Sequence, residues 1–442
     1  MRLLALLCAL GVIAAVTPPA QTSPVTWQDV AALHGRLQAA GITASTFPAY
    51  VDRVRAENLR RVREGDLDHL IFYALQSTHF TRLAPIEPAL SAKALVENGN
   101  RIPSDVRSRI HACSKALESP SGDPRLTYFR ALVHSTFPNP SEREEALVNE
   151  YRRAMKFVYE KEFVAGRAGP AAVADLYRAR GLSTDTAVEA GYVVYTGLGI
   201  LKSLDPARRI RRVLIVGPGL DLAPRTSLVE SGPPESYQPW AVADALLSLG
   251  LSHAADLAIV GADINPRVVD HIQSGRSAPP VLTLVSGIGD SPTVHVTDEY
   301  REYFAQLGRA IGDGSTASAP TVPSHLSKIV RVRSEEAQLI SAEQLDVVTA
   351  RLSAAPFDLI IATNILPYFD DTQLMLAVSN ISAMLAPGGV FMHNEPRPVL
   401  GDITEAVGLR FEQLRRVTIA SVTGASGPLT DVILLHRKSA AR

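Results

Sequence analysis

Arg211-Arg-Val-Leu-Ile-Val-Gly-Pro-Gly-Leu-Asp-Leu222 sets a continuous apolar run between a charged lead-in and a turn containing two glycines and an acid. An unbroken apolar run of this length, closed by glycines, predicts a strand buried on both faces of a sheet. Gly217 and Gly219 suit a turn where backbone N–H groups approach a ligand closely, because a side chain would block that approach. The spacing begins the G-x-G-x-x-G pattern of dinucleotide folds, but Leu222 stands where the third glycine belongs.

Downstream of this turn, apolar runs alternate with helical stretches in the βαβ manner, which predicts an α/β fold with a mostly parallel sheet. The expected strands are 213–216, 257–260, 329–332, 359–362, 389–393, 416–421 and 431–436. Gln238-Pro-Trp-Ala-Val-Ala-Asp-Ala-Leu-Leu-Ser-Leu249 reads as the first crossover helix. The last two strands have only a loop containing Gly424-Ala-Ser-Gly427 between them, so they should form an antiparallel hairpin at the sheet edge. Residues 281–324 fit this alternation poorly and read as an insertion in a domain spanning 205–442.

Upstream, residues 24–204 read as an α-helical domain. Ser141-Glu-Arg-Glu144 and Thr186-Ala-Val-Glu189 fit capping boxes, and Phe137-Pro-Asn-Pro140 and Gly169-Pro170 break helices. The first residues, 1–23, combine one positive charge, a short apolar run and Thr17-Pro-Pro-Ala20, as a secretory signal does, and the run is short for a bilayer span. Leu7 before Cys8 argues against lipoprotein attachment. Cleavage near Ala20 would leave Cys113 alone, so cysteine usage lends no support to export. Location is therefore open between export and cytoplasm.

The chain has 442 residues, 46% of them hydrophobic and 20% charged, a globular composition long enough for two domains. Its net charge of -1 supplies no general pull toward nucleic acid or anionic lipid. Arg208, Arg209, Arg211 and Arg212 form the one local exception, read as a solvated connection into the first strand. Histidines are scattered, and no metal site is expected from them.

Four features follow one another in order. The Gly217-Pro-Gly219 turn comes first, with Asp221. Asp263 then ends the strand in Ala258-Ile-Val-Gly-Ala-Asp-Ile-Asn-Pro266, where a carboxylate, an acceptor only, suits the two hydroxyls of a ribose. Phe357-Asp-Leu-Ile-Ile-Ala-Thr-Asn-Ile-Leu-Pro-Tyr-Phe369 delivers Asn364 to the carboxyl edge of the sheet, where open α/β folds bind ligands. Met384-Leu-Ala-Pro-Gly-Gly-Val-Phe-Met-His-Asn-Glu395 stops a helix before another buried strand.

This ordered set resembles the class I S-adenosylmethionine-dependent methyltransferases over about the last half of the chain. The resemblance implies a Rossmann-like, seven-stranded methyltransferase sheet whose last strand enters antiparallel, with S-adenosylmethionine as cofactor. It implies cofactor binding by Gly217, Gly219 and Asp263, with Asp221 and Asn364 as additions. Residues 357–395 are locally similar to the chemotaxis-receptor carboxyl methyltransferases. The ribose acid lies further from the glycine turn than the usual spacing of about 20 residues, because a loop over 223–237 intervenes; that loop could cover the cofactor. Glu335, Glu343 and Asp346 all follow the expected third strand, and the 341–344 neighbourhood is favoured for the adenine-binding acid. Thr363-Asn-Ile-Leu-Pro-Tyr368 lacks the Asn-Pro-Pro-Tyr or Asp-Pro-Pro-Tyr element of nucleic-acid amino methyltransferases, so a small molecule or a protein side chain is the expected acceptor, not nucleic acid.

Each residue also has a purely structural alternative. Asp263 could cap the helix at Pro266, and Asn364 could cap the helix that follows it. His393 and Glu395 could be an acid/base pair or ordinary strand-end polarity; methyl transfer needs alignment first, so the catalytic residues stay open among His393, Glu395 and Asn364. Asp66-Leu-Asp-His69 reads as a helix start, His79 as a solvated histidine, and Asp185 as a cap before a substrate contact. Two other functions remain: an NAD-dependent oxidoreductase using the same turn and ribose acid, and an exported, non-catalytic binding protein with this fold. The first is opposed by Leu222 and the terminal hairpin; the second is motivated by the signal-like start. Oligomeric state is open.

Overall fold

The computed structural model describes residues 21–165, 169–223, 228, 230–316, 319–353, 356–424 and 427–439. The apolar signal-like run therefore lies outside the described residues. In chain order the described strands are β1 (Thr22–Pro24), β2 (Arg212–Val216), β3 (Ala258–Asp263), β4 (Val281–Gly289), β5 (Val294–Val296), β6 (Gly312–Ser315), β7 (His325–Val332), β8 (Ile340–Gln344), β9 (Ala350–Leu352), β10 (Phe357–Ala362), β11 (Leu385–His393), β12 (Leu409–Val422) and β13 (Leu429–Lys438).

The main sheet has the order β5-β12-β13-β11-β10-β2-β3-β8. Strands β8, β3, β2, β10 and β11 run parallel, while β13 runs antiparallel to both β11 and β12. Leaving out β5 and numbering the rest along the chain, the order is 3-2-1-4-5-7-6, the Rossmann-like methyltransferase sheet with its antiparallel terminal hairpin. The strand order reverses between β2 and β10, so a crevice opens at their carboxyl ends. Four of the five residues of β2 are buried, as an apolar run with helices on both faces requires.

The third strand departs from expectation. Residues 329–332 belong to β7, in a separate antiparallel sheet of order β4-β7-β6, and the main sheet takes β8 instead. Burial along β7 alternates toward its end, as in a strand covered on one side, whereas β8 is Ile-Ser-Ala-Glu-Gln and carries little apolar signal. The insertion thus runs through β7, contains the helix Asp298–Gln306, and lends β5 to the sheet edge beside β12.

The helical half does not stand apart as 24–204. β1 pairs with β9, and Val30, Leu33, Phe47 and Val51 share a core with β2, β10 and the helix Asp371–Met384. On the opposite face, the helix Val188–Leu204 packs with Tyr237–Ser248 and Pro266–Ser277. Only the segment between these ends builds its own core, around Leu70, Phe72, Cys113, Phe129 and Tyr151, as a helical cap. One 30-residue helix, Phe47–Gln76, begins in the sheet's core and ends in the cap's. At 1.5 Å per residue it spans about 45 Å, enough to cross the crevice on the way.

Leu222 and Ala223 are buried in the cap core. The position of the missing third glycine is therefore an apolar anchor: after the turn the chain leaves the sheet for the cap instead of entering a helix at once. Neither expected capping box forms. Glu142 and Ala187 stand at the N-caps of the two helices without a side-chain cap bond, and Glu189 instead accepts from the hydroxyls of Ser286 and Tyr300.

Candidate functional site

At the crevice the ends of β2, β3, β8 and β10 converge on a void of about 830 Å³ counted to its mouth. Gly217, Gly219, Asp263 and Asn364 all line it. Gly217 has φ +68° and donates its N–H to the Ala262 carbonyl at 2.8 Å, tying β2 to β3; a Cβ on it would strike Ile365. Gly219 has φ +73°, and its Cβ would sit 2.7 Å from the Thr184 carbonyl oxygen. Both glycines are thus required by the protein's own packing as well as by any ligand.

Asp263 is 6% exposed, and its Oδ1 accepts the Asn265 N–H at 2.8 Å. It does not cap the following helix, because Asn265 does, accepting from Arg267 N–H. Burial pushes the Asp263 carboxyl up to about 6, against hydrogen bonds from the Asn265 and Gly219 backbones and the pull of Arg267. Asn364 is no cap either: the helix Asp371–Met384 has its own capping box built on Asp370 and Gln373. Asn364 stands at φ +62°, a region that asparagine tolerates and most residues avoid, and Asn394 holds it from both sides, accepting its N–H at 2.8 Å and donating to its Oδ1 at 2.6 Å.

The acid beneath the crevice is Asp346, rather than one in the 341–344 neighbourhood. It lines the void next to Leu345 and Val347, whereas neither Glu335 nor Glu343 does. Opposite it, from the crossing helix, comes Asn58, which sequence reasoning missed. Its Nδ2 donates to Asp346 Oδ2 at 3.1 Å, which sets the amide's orientation, and its Oδ1 is buried in the wall without a hydrogen-bond partner. A lone asparagine on a long helix carries no signal in sequence.

Residues 182–186 cross over the crevice and are fastened to the same helix. Leu182 N–H donates to Arg61 O at 2.8 Å, while Arg61 Nε and Nη2 donate to the carbonyls of Arg180 and Tyr177. Arg61 Nη1 reaches the Tyr368 carbonyl, joining this strap to the loop after β10. Gly65 and Gly181 let the two backbones touch: a Cβ on Gly65 would fall on the Leu182 carbonyl oxygen. Asp66, Asp68 and His69 are accordingly no helix start but a buried polar row inside the helix. Asp66 pairs with Arg267, Asp68 with Arg153 at 2.8 Å, and His69 Nδ1 lies 3.3 Å from Asp185 Oδ1. His79 is paired too, 2.8 Å from Asp123.

Beyond Asp185, Thr186, Asn364 and Tyr368 the void opens into a second, larger chamber of about 1520 Å³, also counted to its mouth. Asp185 thus faces both spaces and caps no helix. Asp221 lines only this second chamber, displaced from the turn because its backbone pairs with Glu235. Burial, reinforced by the negative charge of Asp185, pushes Asp221 well above the usual carboxylate range despite Arg125. The described part of the 223–237 loop, including Gly232 and Tyr237, likewise walls the second chamber and not the first.

His393 and Glu395 line neither space. His393 is fully buried, its Nε2 3.2 Å from His436 Nδ1 and its ring stacked on Phe391 and His436. Burial and the neighbouring His436 hold it well below the usual imidazole range. Glu395 accepts from Arg397 N–H at 3.1 Å and pairs with its guanidinium. Their strand-end position reads alike in sequence, but His436 of the antiparallel β13 stacks on His393 and Arg397 holds Glu395. Among the described residues, no group of three or more His, Cys, Asp or Glu side chains is arranged to hold a metal, and no helix is long and apolar enough to cross a membrane.

No protein-family model matches this chain, and no curated protein matches it. Among solved structures it is similar to the N-methyltransferase NodS from Bradyrhizobium japonicum WM9, with 15% identity over 56% of this chain and 94% of that one and a TM-score of 0.27. It is also similar to the TehB-like SAM-dependent methyltransferase from Corynebacterium glutamicum, with 12% identity over 58% and 89% of the two chains and a TM-score of 0.26. A third is the magnesium protoporphyrin IX methyltransferase from Synechocystis PCC 6803 with bound SAM, at 10% identity over 65% and 97% and a TM-score of 0.28. These are distant likenesses, and the chemistry of the site rests on this chain's own residues.

Proposed function

We propose that this protein is an S-adenosylmethionine-dependent methyltransferase acting on a small molecule. The observation that carries the reading is the donor and acceptor layout of the crevice. The Gly217–Gly219 turn approaches from β2, the Asp263 carboxylate waits at the end of β3, and a buried acceptor without a partner, Asn58 Oδ1, stands beside Asp346. A ribose brings two hydroxyl donors for Asp263, and an adenine brings an exocyclic amine for Asn58 Oδ1. When bound, the cofactor supplies an electrophilic methyl group, and this chain's residues have only to hold it and exclude water. Asn364, Asp185 and Tyr368, shared by both chambers, mark where the methyl group would meet its acceptor.

The terminal antiparallel hairpin and the anchoring of Leu222 in the cap both speak against the dinucleotide alternative. An acceptor drawn from small molecules suits a chamber walled by sheet, insertion and cap. Calorimetric titration with S-adenosylmethionine and S-adenosylhomocysteine tests the reading directly; a folded protein that binds neither, but binds NADH, would overturn it.

Two results follow from the same layout. Asp263 must be ionised to accept from both hydroxyls, so affinity is full above about pH 7 and is lost as pH falls through about 6, where the group protonates. Below that the loss approaches roughly tenfold per pH unit, because binding then has to expel a proton. Titrations between about pH 7.5 and about pH 5 check this, and a flat profile would remove Asp263 from the ribose. Asn58→Ala should weaken S-adenosylhomocysteine by about tenfold, the worth of one buried hydrogen bond. The analogue carrying hypoxanthine, which lacks the exocyclic amine, should show no further loss on that variant.

A further inference from the structure

Arg180 is 6% exposed and lines the second chamber near the rings of Tyr177 and Tyr368. Its guanidinium lies over the Phe157 ring at 4.2 Å, yet its Nε and Nη2 are buried with no hydrogen-bond partner. Asp68 Oδ2 stands 3.7 Å from Nη2, too far for a hydrogen bond, and that carboxyl already pairs with Arg153 at 2.8 Å. Against the cost of burial, Tyr368, Asp68 and Asp185 keep Arg180 in its charged form. Two neighbouring guanidinium groups are bonded to neutral oxygens. Arg125, in the same wall, donates to the carbonyls of Leu222 and Gly232 at 2.6 and 2.8 Å, and buried Arg61 donates to those of Arg180, Tyr177 and Tyr368. The carboxyl groups nearby do not balance these charges. Burial pushes Asp221 well above the usual carboxylate range and Glu235, its backbone partner, up to about 8, so both favour the neutral form; Asp185 lies 3.3 Å from His69 Nδ1. A buried guanidinium with unmet donors is costly until an anion meets it, and a carboxylate matches its fork. The rings of Tyr177, Tyr237 and Tyr368, with Val188, Val285 and Pro367, give the rest of the wall a face for an apolar, aromatic body.

We propose that this chamber binds the methyl acceptor, and that the acceptor is a small aromatic carboxylate, its carboxylate received by Arg180 and its ring packed among the three tyrosines. The proposal rests on the methyl-transfer reading above and names the class of its acceptor. Arg180 lines this chamber and not the cofactor crevice, so it selects the acceptor by charge while the crevice residues hold the cofactor.

The test compares phenylacetate with its neutral amide, phenylacetamide, and with the cation 2-phenylethylamine, all of similar size. Binding is measured by calorimetry on the full chain, once free of cofactor and once saturated with S-adenosylhomocysteine. Phenylacetate should bind at least tenfold more tightly than either of the others, as a charge-assisted bond to a buried guanidinium requires. Arg180→Gln should erase most of that preference, and Val285→Trp, which fills the chamber from β4, should abolish binding of the acid. Both variants should keep S-adenosylhomocysteine affinity within about threefold. Should Arg180→Gln fail to fold, the wild-type comparison and Val285→Trp decide. Equal or tighter binding of the amide or the amine, no binding of phenylacetate, or a preference that survives Arg180→Gln overturns the proposal. So does a loss of S-adenosylhomocysteine affinity in Arg180→Gln with the acid preference kept, which would assign Arg180 to the cofactor's own carboxylate. Failure of S-adenosylhomocysteine to bind defeats the methyl-transfer reading and leaves the carboxylate site standing, because the acid preference is also read on the cofactor-free chain.

Discussion

Asp263→Ala should weaken S-adenosylmethionine binding by about 100-fold or more while leaving the protein folded. Two charge-assisted hydrogen bonds to ribose hydroxyls, at about 1.5–3 kcal/mol each, correspond to a factor of that order. The fold has little to lose at this position. The carboxyl is 6% exposed, and its raised pKa shows that its charge is disfavoured where it sits. Removing it relieves that cost and forfeits the hydrogen bonds it accepts from the Asn265 and Gly219 backbones, so the thermal midpoint should move only slightly. Calorimetric titration and a melting curve on the same preparation separate the two effects. Unchanged affinity in a folded variant would sink the assignment of the crevice.

Gly65→Ala should destabilise the protein by about 2–4 kcal/mol, the usual cost of forcing atoms into a packed interior. Considered as a helix alone, the substitution should help, because alanine exceeds glycine in helix propensity by about 1 kcal/mol. The sign is reversed by the strap: the new Cβ would fall on the Leu182 carbonyl oxygen, a backbone atom that cannot rotate away. The strap must lift, and with it go Ser183, Thr184 and Asp185 from the crevice wall. Cofactor affinity should therefore fall together with stability. Denaturant unfolding and a cofactor titration measure both, and a variant that is more stable with full affinity would show that the strap is not held against this helix.

Much of the crevice was legible because its parts lie at strand ends that announce themselves. The run 213–216 is apolar without interruption, and Asp263 and Asn364 each follow a similar run, so their place at the carboxyl edge needed only strand direction. Asp346 was harder to assign because β8 is short and polar, and the apolar alternation of β7 drew the third strand away from it. Asn58, Gly65 and Arg61 could not be read at all. Their importance comes from what crosses them, and nothing in a helix of mixed polarity says that another segment lies on it. His393 and Glu395 show the converse, since a polar strand end looks like a site until its partners, here His436 and Arg397, are placed.

Local chemistry along the chain determined the sheet, its terminal hairpin, the glycine turn and the carboxylate at the end of β3, because strand burial and turn geometry depend on neighbours within a few residues. Tertiary structure alone decided that the helix Phe47–Gln76 joins two cores, that 182–186 straps the crevice, and that Asp185 and Asp221 meet in a second chamber. Such relations span 154 positions between His69 and Ala223 and 199 between Asp66 and Asn265, and arise from packing and charge burial that no local pattern encodes.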